Sequence, residues 1–454
     1  MPEQPPDVGL PAGGGRESGG DFEGDGDFEG EAERLAPAPP VREPTSGPPG
    51  RRFVVDFGPL RRHRDFRLLW LGQAVSFLGS MVTFVAIPYQ AYALSHSSLV
   101  VGLLSAAELV PLVVMALFGG ALADAIDRRK LVLIAEALLA VASAALLVNA
   151  LLPGPRLWVL FVVGAAMAGL DGLQRPPLDA LLPRLVDKDE IVAAGALSSL
   201  RMTVGMIAGP ALGGVLIAAF GLASAFGFDI ATFAVSLAAL ALMRAVPPPS
   251  DAPAPSLRGI AEGLRYAAGR QELLGTYAVD VVAMFFGMPM ALFPALAHKF
   301  GGAGVLGMLY AAPSVGSFIA SATSGWAPRV RRHGAAVCLA AVGWGVGITA
   351  LGFAPDVVIA LVALTVAGYC DMISGLFRGA IWNQTIPDRL RGRLAGIEQI
   401  SYSTGPLLGN VEAGAVAAFA GLRVAIASGG ILCVAGVGVA VVLLPKFWRY
   451  RAPE

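Results

Sequence analysis

Two long apolar segments of the chain are joined by Gly119-Gly120-Ala121-Leu122-Ala123-Asp124-Ala125-Ile126-Asp127-Arg128-Arg129-Lys130. Each flanking segment is long enough to cross a bilayer as a helix, which takes roughly 20 apolar residues. The connection ends in three consecutive basic residues. Because basic residues beside membrane helices are retained in the cytoplasm, this connection is predicted to lie on the cytoplasmic side.

The other apolar segments fit the same alternation of sides. When they are numbered as twelve crossings, every Lys and Arg except Arg156, Lys299 and Arg423 falls on the cytoplasmic side. An asymmetry this complete fixes both the number and the orientation of the helices. The chain is therefore predicted to be a multi-pass protein of the cell membrane (plasma or inner membrane), surrounded by lipid and with both termini in the cytoplasm.

Composition favours an all-α membrane protein. The mean hydropathy is +0.67, and charged residues make up 15% of the chain, whereas soluble domains carry about 25%. The apolar runs are continuous, which excludes the alternating strands of a membrane barrel. The predicted helices are 66–93, 98–122, 131–152, 157–176, 191–217, 222–245, 273–297, 303–326, 334–354, 357–382, 394–418 and 422–445.

The chain divides into two predicted six-helix halves with polar segments around them. Residues 1–50 are rich in Pro, Gly and acidic residues, a composition that predicts disorder. The halves are 60–245 and 273–445, joined by a Pro-rich cytoplasmic linker at 246–272 and followed by a short tail at 446–454.

The two halves repeat short sequences at equivalent places. Gly172-Leu173-Gln174-Arg175 corresponds to Gly375-Leu376-Phe377-Arg378, and Gly209-Pro210-Ala211-Leu212-Gly213 corresponds to Gly405-Pro406-Leu407-Leu408-Gly409. An even number of crossings in each half makes the repeat parallel. This pseudo-symmetric architecture places a substrate site between the halves, near the middle of the membrane.

The connection quoted first resembles the loop signature of the major facilitator superfamily. Gly120, Leu122, Asp124, Arg128 and Arg129 match that signature, while Ala125 and Asp127 depart from it. The resemblance implies the twelve-helix major facilitator fold. It also implies a conformational latch made by Gly120, Asp124, Arg128 and Arg129, since an acid at a helix N-terminus is favoured by the backbone dipole. A solvated basic loop is the alternative interpretation.

A second resemblance lies in the fifth predicted helix, Gly205-Met206-Ile207-Ala208-Gly209-Pro210-Ala211-Leu212-Gly213-Gly214. It is similar to part of the signature of drug and proton antiporters. Its site residues are Gly205, Gly209, Pro210, Gly213 and Gly214. Glycines four residues apart also allow close helix packing in any membrane bundle, so packing alone is the alternative.

Four further stretches resemble the enterobactin-exporter group of major facilitators. They are 175–186, 291–297, 309–313 and 392–396. This resemblance implies efflux of siderophores, macrolides or other drugs by a protein of the cell membrane.

Charged residues within membrane helices are costly and are therefore candidates for function. Glu108, Asp229 and Asp280 are our candidates for proton coupling, and Arg201 and Arg378 are candidate charge partners. A coupling carboxylate must gain and lose a proton in a cavity of low dielectric constant. A static hydrogen bond or ion pair is the alternative for each acid.

The sequence indicates neither an enzyme nor a cofactor. It contains no phosphate-binding Gly-Lys-Ser or Gly-Lys-Thr loop, so ATP hydrolysis is not expected. Cys338, Cys370 and Cys433 all lie in apolar segments, which argues against a disulfide framework or a metal cluster. A nucleic-acid partner is not expected, and the protein is predicted to be a monomer.

These observations predict a secondary active exporter of a small amphipathic organic molecule that works by proton antiport and alternating access. Two alternatives remain at this point. One is an importer with the same fold. The other is a membrane sensor or scaffold that does not transport, in which the acidic segment 1–50 would be the working part.

Overall fold

The computed structural model describes residues 56–246 and 265–452, and for residues 120, 121, 123–125 and 388–402 it describes the backbone only. The described residues form helices and connections, with no strand among them. The helices are α1 (Gly58–Arg62), α2 (Arg64–Ser95), α3 (Ser98–Ala125), α4 (Arg128–Leu151), α5 (Leu157–Leu185), α6 (Ile191–Phe220), α7 (Leu222–Leu242), α8 (Gln271–Phe286), α9 (Phe293–Phe300), α10 (Ala303–Thr323), α11 (His333–Gly352), α12 (Val357–Thr385), α13 (Asp388–Ala420), α14 (Leu422–Leu443) and α15 (Pro445–Trp448).

The helices confirm the predicted all-α membrane architecture. Among the described residues, 11 spans are long and apolar enough to cross a membrane, with Gln271–Phe300 counted as one. The remaining predicted crossing corresponds to α13, which has 33 residues and is about 50 Å long at 1.5 Å per residue. The disorder predicted for 1–50 and most of the linker 246–272 lie outside the described residues.

Most predicted helix ends lie within a few residues of those observed, and three predicted helices differ more substantially from the structure. The helix predicted to end at 176 continues to Leu185, through Pro176 and Pro177. A membrane helix tolerates such prolines because groups on neighbouring helices can satisfy the backbone carbonyls that the prolines leave without partners. The helix predicted at 273–297 is broken between α8 and α9 by Gly287 and Pro289. The helix predicted to begin at 394 begins at Asp388.

The same turn occurs at equivalent places in the two sets of helices. Gly221 joins α6 to α7 with φ 82° and ψ 168°, and Gly421 joins α13 to α14 with φ 85° and ψ 162°. Residues with a side chain rarely adopt this backbone conformation. A one-residue glycine turn therefore recurs at a spacing of 200 positions, as expected for pseudo-symmetric halves.

The connections alternate between two faces of the helix bundle. We call the face with the turns at 96–97, 152–156, 221, 301–302, 353–356 and 421 the short-turn face. The opposite face, with the connections that carry most of the Arg and Lys residues, is the basic face. Both faces are defined by the connections between helices, whichever face is cytoplasmic.

Two helix pairs carry most of the contact between α2–α7 and α8–α15. These pairs are α3 with α13 and α6 with α10. Near the short-turn face, a Cβ atom added to Gly414 of α13 would lie 2.6 Å from the Ser98 carbonyl oxygen of α3. One added to Gly214 of α6 would lie 3.0 Å from the Gly307 Cα of α10. The absence of side chains at these positions lets the backbones meet.

Burial shows that this contact is one-sided. The largest buried apolar cluster combines residues of both sets of helices, among them Val82 of α2, Leu306 of α10 and Ala413 of α13. The other buried clusters of the described residues each belong to one set, such as the cluster of Leu69 and Leu240 and that of Val279, Phe377 and Phe447. The bundle is therefore closed toward the short-turn face, and its two sets of helices have separate cores toward the basic face.

Candidate functional site

The glycine row of α6 is a packing surface for α2. Gly205 lies against Phe77, Gly209 against Met81, and Gly213 against Val82. A Cβ atom on Gly213 would lie 3.2 Å from the Val82 Cα, closer than side-chain carbons normally approach. Three of the antiporter-like residues therefore hold α6 against α2.

The other two residues of that motif face α10. The Pro210 carbonyl and Gly214 both lie against Gly307, and Gly214 also lies against the Ala303 carbonyl. One motif thus serves two packing surfaces, one within α2–α7 and one across to α8–α15. These contacts concern helix packing and do not test the antiporter function of the motif, which stays a prediction.

The arginines of the predicted latch bind backbone carbonyl groups. Arg129 donates to the carbonyl oxygens of Leu240 at 2.6 Å and Ala241 at 2.7 Å, where α7 ends and its last carbonyls lack helical partners. Arg128 is buried and donates to the Ala180 carbonyl oxygen of α5 at 3.1 Å. Both arginines therefore tie the start of α4 to neighbouring helices.

The remaining latch residues, Gly120 and Asp124, lie within helix α3. Their side-chain environment lies outside the described residues. The latch therefore stays a prediction: the contacts of Arg128 and Arg129 are known, whereas those of the Asp124 side chain are not described.

Asp280 and Arg378 form a buried ion pair between α8 and α12. Arg378 donates from Nη1 to Asp280 Oδ1, and each side chain is 8% exposed. The second terminal nitrogen of Arg378 lies 4.0 Å from Asp371 Oδ1. Of the candidate acids and cations, these two are brought together, and Asp280 is engaged by a permanent positive charge.

Asp229 of α7 lies in a closed pocket of hydroxyl groups. Its Oδ2 accepts a hydrogen bond from Thr83 at 2.7 Å and another from Ser143 at 2.6 Å. The residue has no exposed surface. Asp229 therefore joins α2, α4 and α7 at a point that solvent and substrate do not reach in this structure.

Glu108 of α3 stands apart from both of these acids. Within the described part of the chain, its carboxylate forms no hydrogen bond and no ion pair. It lies beside Gly164 of α5, whose added Cβ would be 3.3 Å from Glu108 Oε1. The phenol of Tyr310 on α10 is close enough to interact with its charge.

Glu108 faces the interior of the bundle. The exposed apolar side chains of α3 include Leu103, Val110, Val114 and Leu117, which lie along one side of the helix. At about 100° per residue, Glu108 lies roughly opposite that row. Glu108 is partly buried and lies on the side of α3 that packs against α5.

Tyr310 belongs to a group of three aromatic side chains. The ring of Tyr310 is 5.3 Å from that of Phe84 on α2 and 5.1 Å from that of Phe293 on α9, edge to face in both cases. Tyr310 is buried, whereas Phe84 is 43% exposed. Phe84 and Tyr310 thus join α2 to α10.

Arg201 of α6 does not pair with any of the three candidate acids. Its charge interacts instead with Asp179 and Glu136, which the sequence analysis did not select. Its Nε atom is buried and has no hydrogen-bond partner. Arg201 therefore belongs to a second polar cluster, nearer the basic face.

Glu136 is the centre of that cluster and was missed by the sequence analysis. It has no exposed surface, accepts a hydrogen bond from Gln73 and one from Gln174 at 3.4 Å. It lies about two turns from the start of α4, a position that by itself suggests the membrane surface. Two glutamines in neighbouring apolar helices, both expensive to bury without partners, were the signal that could have indicated it.

One cluster at the basic face contains donor groups suited to a metal ion. His63 Nε2 lies 2.6 Å from Glu190 Oε2 and 3.9 Å from Asp187 Oδ2. Arg62 also pairs with Glu190. The same carboxylate is thus already bound by two groups, and the cluster joins the start of α2 to the connection between α5 and α6.

Comparison with known proteins places this geometry in a family. The family described as "Transmembrane secretion effector", a group of major facilitators, matches residues 54–449. The enterobactin exporter EntS of Escherichia coli (strain K12) is 29% identical over 411 residues, covering 88% of this chain and 97% of that protein. The enterobactin exporter EntS of Citrobacter koseri is 28% identical over 408 residues, covering 88% and 97%.

Solved structures share the fold. A POT family transporter in complex with 5-aminolevulinic acid has a TM-score of 0.68 at 11% identity, covering 85% of this chain and 97% of that chain. The nucleoside transporter NupG has a TM-score of 0.63 at 14% identity, covering 84% and 98%. At such low identity the likeness concerns the architecture alone.

Proposed function

Because the chain belongs to the transmembrane secretion effectors of the major facilitator superfamily, we propose that this membrane transporter exports a small amphipathic organic molecule by proton antiport. The export direction is supported by relatives named as enterobactin exporters that match over 88% of the chain. Siderophores and macrolide-like compounds are the substrate classes to test first.

The observation that carries the mechanism is the contrast among the three candidate acids. Asp280 is held by Arg378, and Asp229 is enclosed by two hydroxyl donors. Glu108 alone of the three has no partner in the described residues and is partly exposed, whereas the other two are buried. A group that binds and releases a proton during transport needs that access, so we assign proton coupling to Glu108.

One-sided closure supports alternating access. With the predicted orientation, the short-turn face is external and the basic face is cytoplasmic. The structure then corresponds to a state closed to the outside, in which substrate enters from the cytoplasm. Opening toward the outside would separate α3 from α13 and α6 from α10, and would bring the separate cores at the basic face together.

In this cycle, substrate binding from the cytoplasm accompanies loss of the Glu108 proton. After the helices rearrange, protonation of Glu108 from the outside accompanies substrate release. A carboxylate in a site of low dielectric constant changes its interaction energy strongly when it is neutralised. This change links the occupancy of the site to its proton, without any cofactor or bond-breaking step.

Membrane vesicles of both orientations test the direction of transport. Everted vesicles containing the full chain should accumulate a labelled catecholate siderophore or macrolide when the vesicle interior is made acidic, and vesicles without the chain should not. Accumulation only in right-side-out vesicles with an acidic exterior would indicate an importer. No accumulation of any compound in either orientation would favour the sensor or scaffold alternative, in which residues 1–50 are the working part.

A further inference from the structure

The end of the chain folds back onto the basic face of α8–α15. Phe447 of α15 has no exposed surface and belongs to the apolar cluster of these helices. The Gly334 amide at the start of α11 donates to the Tyr450 carbonyl oxygen at 3.4 Å, and the Ala452 amide donates to the Arg331 carbonyl oxygen at 2.9 Å. These contacts hold the last described residues beside the connection between α10 and α11.

This arrangement places exposed cations from two segments on one surface. Three come from the connection between α10 and α11, and three come from the end of the chain. We call them the cationic surface: Arg329, Arg331, Arg332, Lys446, Arg449 and Arg451. Within the part of the chain that the structure describes, none of them forms an ion pair. Glu272 of α8, whose charge reaches Tyr450, is engaged by Arg270 at 3.7 Å.

Basic residues of the other set of helices, by contrast, pair with acids. Arg62 pairs with the buried carboxylate of Glu190, and Arg175 lies 3.5 Å from Asp171. Retention of a loop in the cytoplasm depends on its basic residues, and acids contribute little to it. Topology therefore explains why the cations lie at the basic face, but not why those of the cationic surface lack acidic partners among the described residues. An anionic ligand would balance their charge.

The cationic surface adjoins apolar surface that faces the lipid. Helices α11 and α14 pack side by side, and a Cβ atom added to Gly345 would lie 2.9 Å from the Gly430 carbonyl oxygen. Near the basic face, Leu339 of α11 and Val442 and Leu443 of α14 are largely exposed. Exposed apolar side chains of a membrane bundle contact acyl chains, which are as apolar as leucine. Acyl chains that lie along this surface lead to the cations.

Two tryptophans lie at the same end of these helices. Trp326 comes shortly before Arg329 in the chain, and Trp448 belongs to α15. Both side chains are partly exposed. Tryptophan is enriched where the hydrocarbon core of a membrane meets the headgroups. The cations beside these tryptophans therefore lie at the level of the lipid phosphates.

We propose that the cationic surface binds the headgroup of an anionic phospholipid in the membrane leaflet at the basic face. Its phosphate contacts Arg331, Arg332 and Lys446, and its acyl chains lie along α11 and α14. A soluble phosphate compound would leave the adjoining apolar surface unused, whereas a phospholipid matches both the charge and the apolar surface. This binding is independent of the substrate and of the direction of transport.

Photo-crosslinking in liposomes tests the proposal. The full chain is reconstituted in phosphatidylcholine with a trace of phosphatidylglycerol that carries a photoactivatable group in one acyl chain. A phosphatidylcholine probe with the same group is used in parallel, and mass spectrometry of peptides locates the attached lipid. The phosphatidylglycerol probe should attach to the basic-face ends of α11 and α14 several-fold more than the phosphatidylcholine probe. Equal attachment of the two probes there would overturn the proposal.

A variant that lacks three of the cations shows whether they bind the headgroup. It combines Arg331→Gln, Arg332→Gln and Lys446→Gln, which are exposed positions, so the chain should still fold, as checked by size-exclusion chromatography. Each cation near an anionic membrane surface contributes a factor of about five in affinity. Attachment of the phosphatidylglycerol probe should therefore fall by more than about tenfold or reach the level of the phosphatidylcholine probe. Undiminished attachment would show that these cations do not bind the lipid.

The matched control removes three exposed cations from the other set of helices. It combines Arg61→Gln, Arg64→Gln and Arg67→Gln, which change the charge of the basic face by the same amount. This variant should leave phosphatidylglycerol attachment at α11 and α14 unchanged. If both variants lose attachment equally, the lipid is attracted by the charge of the whole basic face, and the proposed site is wrong.

Discussion

Arg378 of α12 donates a hydrogen bond to Asp280 of α8, and both side chains are almost completely buried. One turn later in α12 and one turn earlier in α8, Trp382 donates to the Thr276 hydroxyl at 2.8 Å. The two contacts form successive rungs between α8 and α12. Because the helix is broken after α8, these two contacts fix the position of α8 against α12. Asp280 therefore has a structural role.

Removing the cation of this pair should destabilise the protein. Arg378→Ala leaves the Asp280 carboxylate buried beside fewer donors, and breaking a buried pair in this way typically costs about 3–5 kcal/mol. We expect a clear fall in thermal stability of the purified chain, measured as the midpoint of unfolding in detergent. The double change Asp280→Asn with Arg378→Gln keeps an uncharged hydrogen bond and should recover part of the loss. An Arg378→Ala protein as stable as the unmodified chain would contradict this role.

Asp229 should tolerate an amide but not an apolar side chain. In Asp229→Asn, an oxygen remains to accept from Thr83 and Ser143, so folding and transport should both persist. Asp229→Leu leaves two buried hydroxyls without their acceptor, at about 1–3 kcal/mol each, and should reduce the yield of folded protein. The comparison is made by size-exclusion chromatography and by transport in proteoliposomes. Loss of proton coupling in well-folded Asp229→Asn would instead make Asp229 a coupling group.

The crossing of α6 and α10 should determine whether the short-turn face stays closed. A Cβ atom on Gly214 would lie 2.7 Å from the Ala303 carbonyl oxygen, so Gly214→Val should force the two helices apart. Spin labels at Phe220, the last residue of α6, and at Lys299 of α9, just before α10, report the opening of this crossing. Both positions are exposed, and the three cysteines of the chain are replaced by alanine. We expect the distance distribution to shift to longer values by several ångströms.

The control for that experiment is Gly227→Val in α7, where an added Cβ meets nothing within 4 Å. This variant should leave the label distances unchanged. If Gly214→Val gives the same distances as the unmodified chain, the glycine crossing does not hold the face closed.

Residues 1–50 should be dispensable for transport. The helices and the interior acids lie in the part of the chain matched by the family, 54–449, so a chain that lacks 1–50 should transport at a rate within about twofold of the full chain. Transport per molecule of reconstituted protein is the measurement. Complete loss of function in a folded, correctly inserted deletion variant would support the sensor or scaffold alternative.

The helices could be predicted from the sequence because the length of each apolar run indicates the length of a membrane-spanning helix. Most of their ends lie within a few residues of the prediction, since charged and glycine-containing turns mark them. The break at Gly287 and Pro289 was missed because both residues lie in an apolar run, and prolines elsewhere in this chain, such as Pro176, do not end helices.

The site was less predictable because its contacts join distant positions. The sequence identifies Glu108, Asp229 and Asp280 as charges within helices, but their partners come from other helices, as with the 98 positions between Asp280 and Arg378. Only the three-dimensional structure shows that Glu108 is unpaired while Asp229 and Asp280 are bound. Phe84 and Tyr310 gave no signal of their own, since aromatic residues are common in membrane helices.

The most direct test of proton antiport through Glu108 is substrate-triggered proton movement in proteoliposomes of the full chain. With a pH-sensitive dye inside and an imposed pH gradient, siderophores and macrolides are added in turn. We predict that one of these compounds triggers proton flux and that Glu108→Gln abolishes it. The same change at Glu272, which pairs with Arg270 at the start of α8, should preserve the flux. Undiminished flux in Glu108→Gln would contradict the central claim and show that the proton is carried elsewhere.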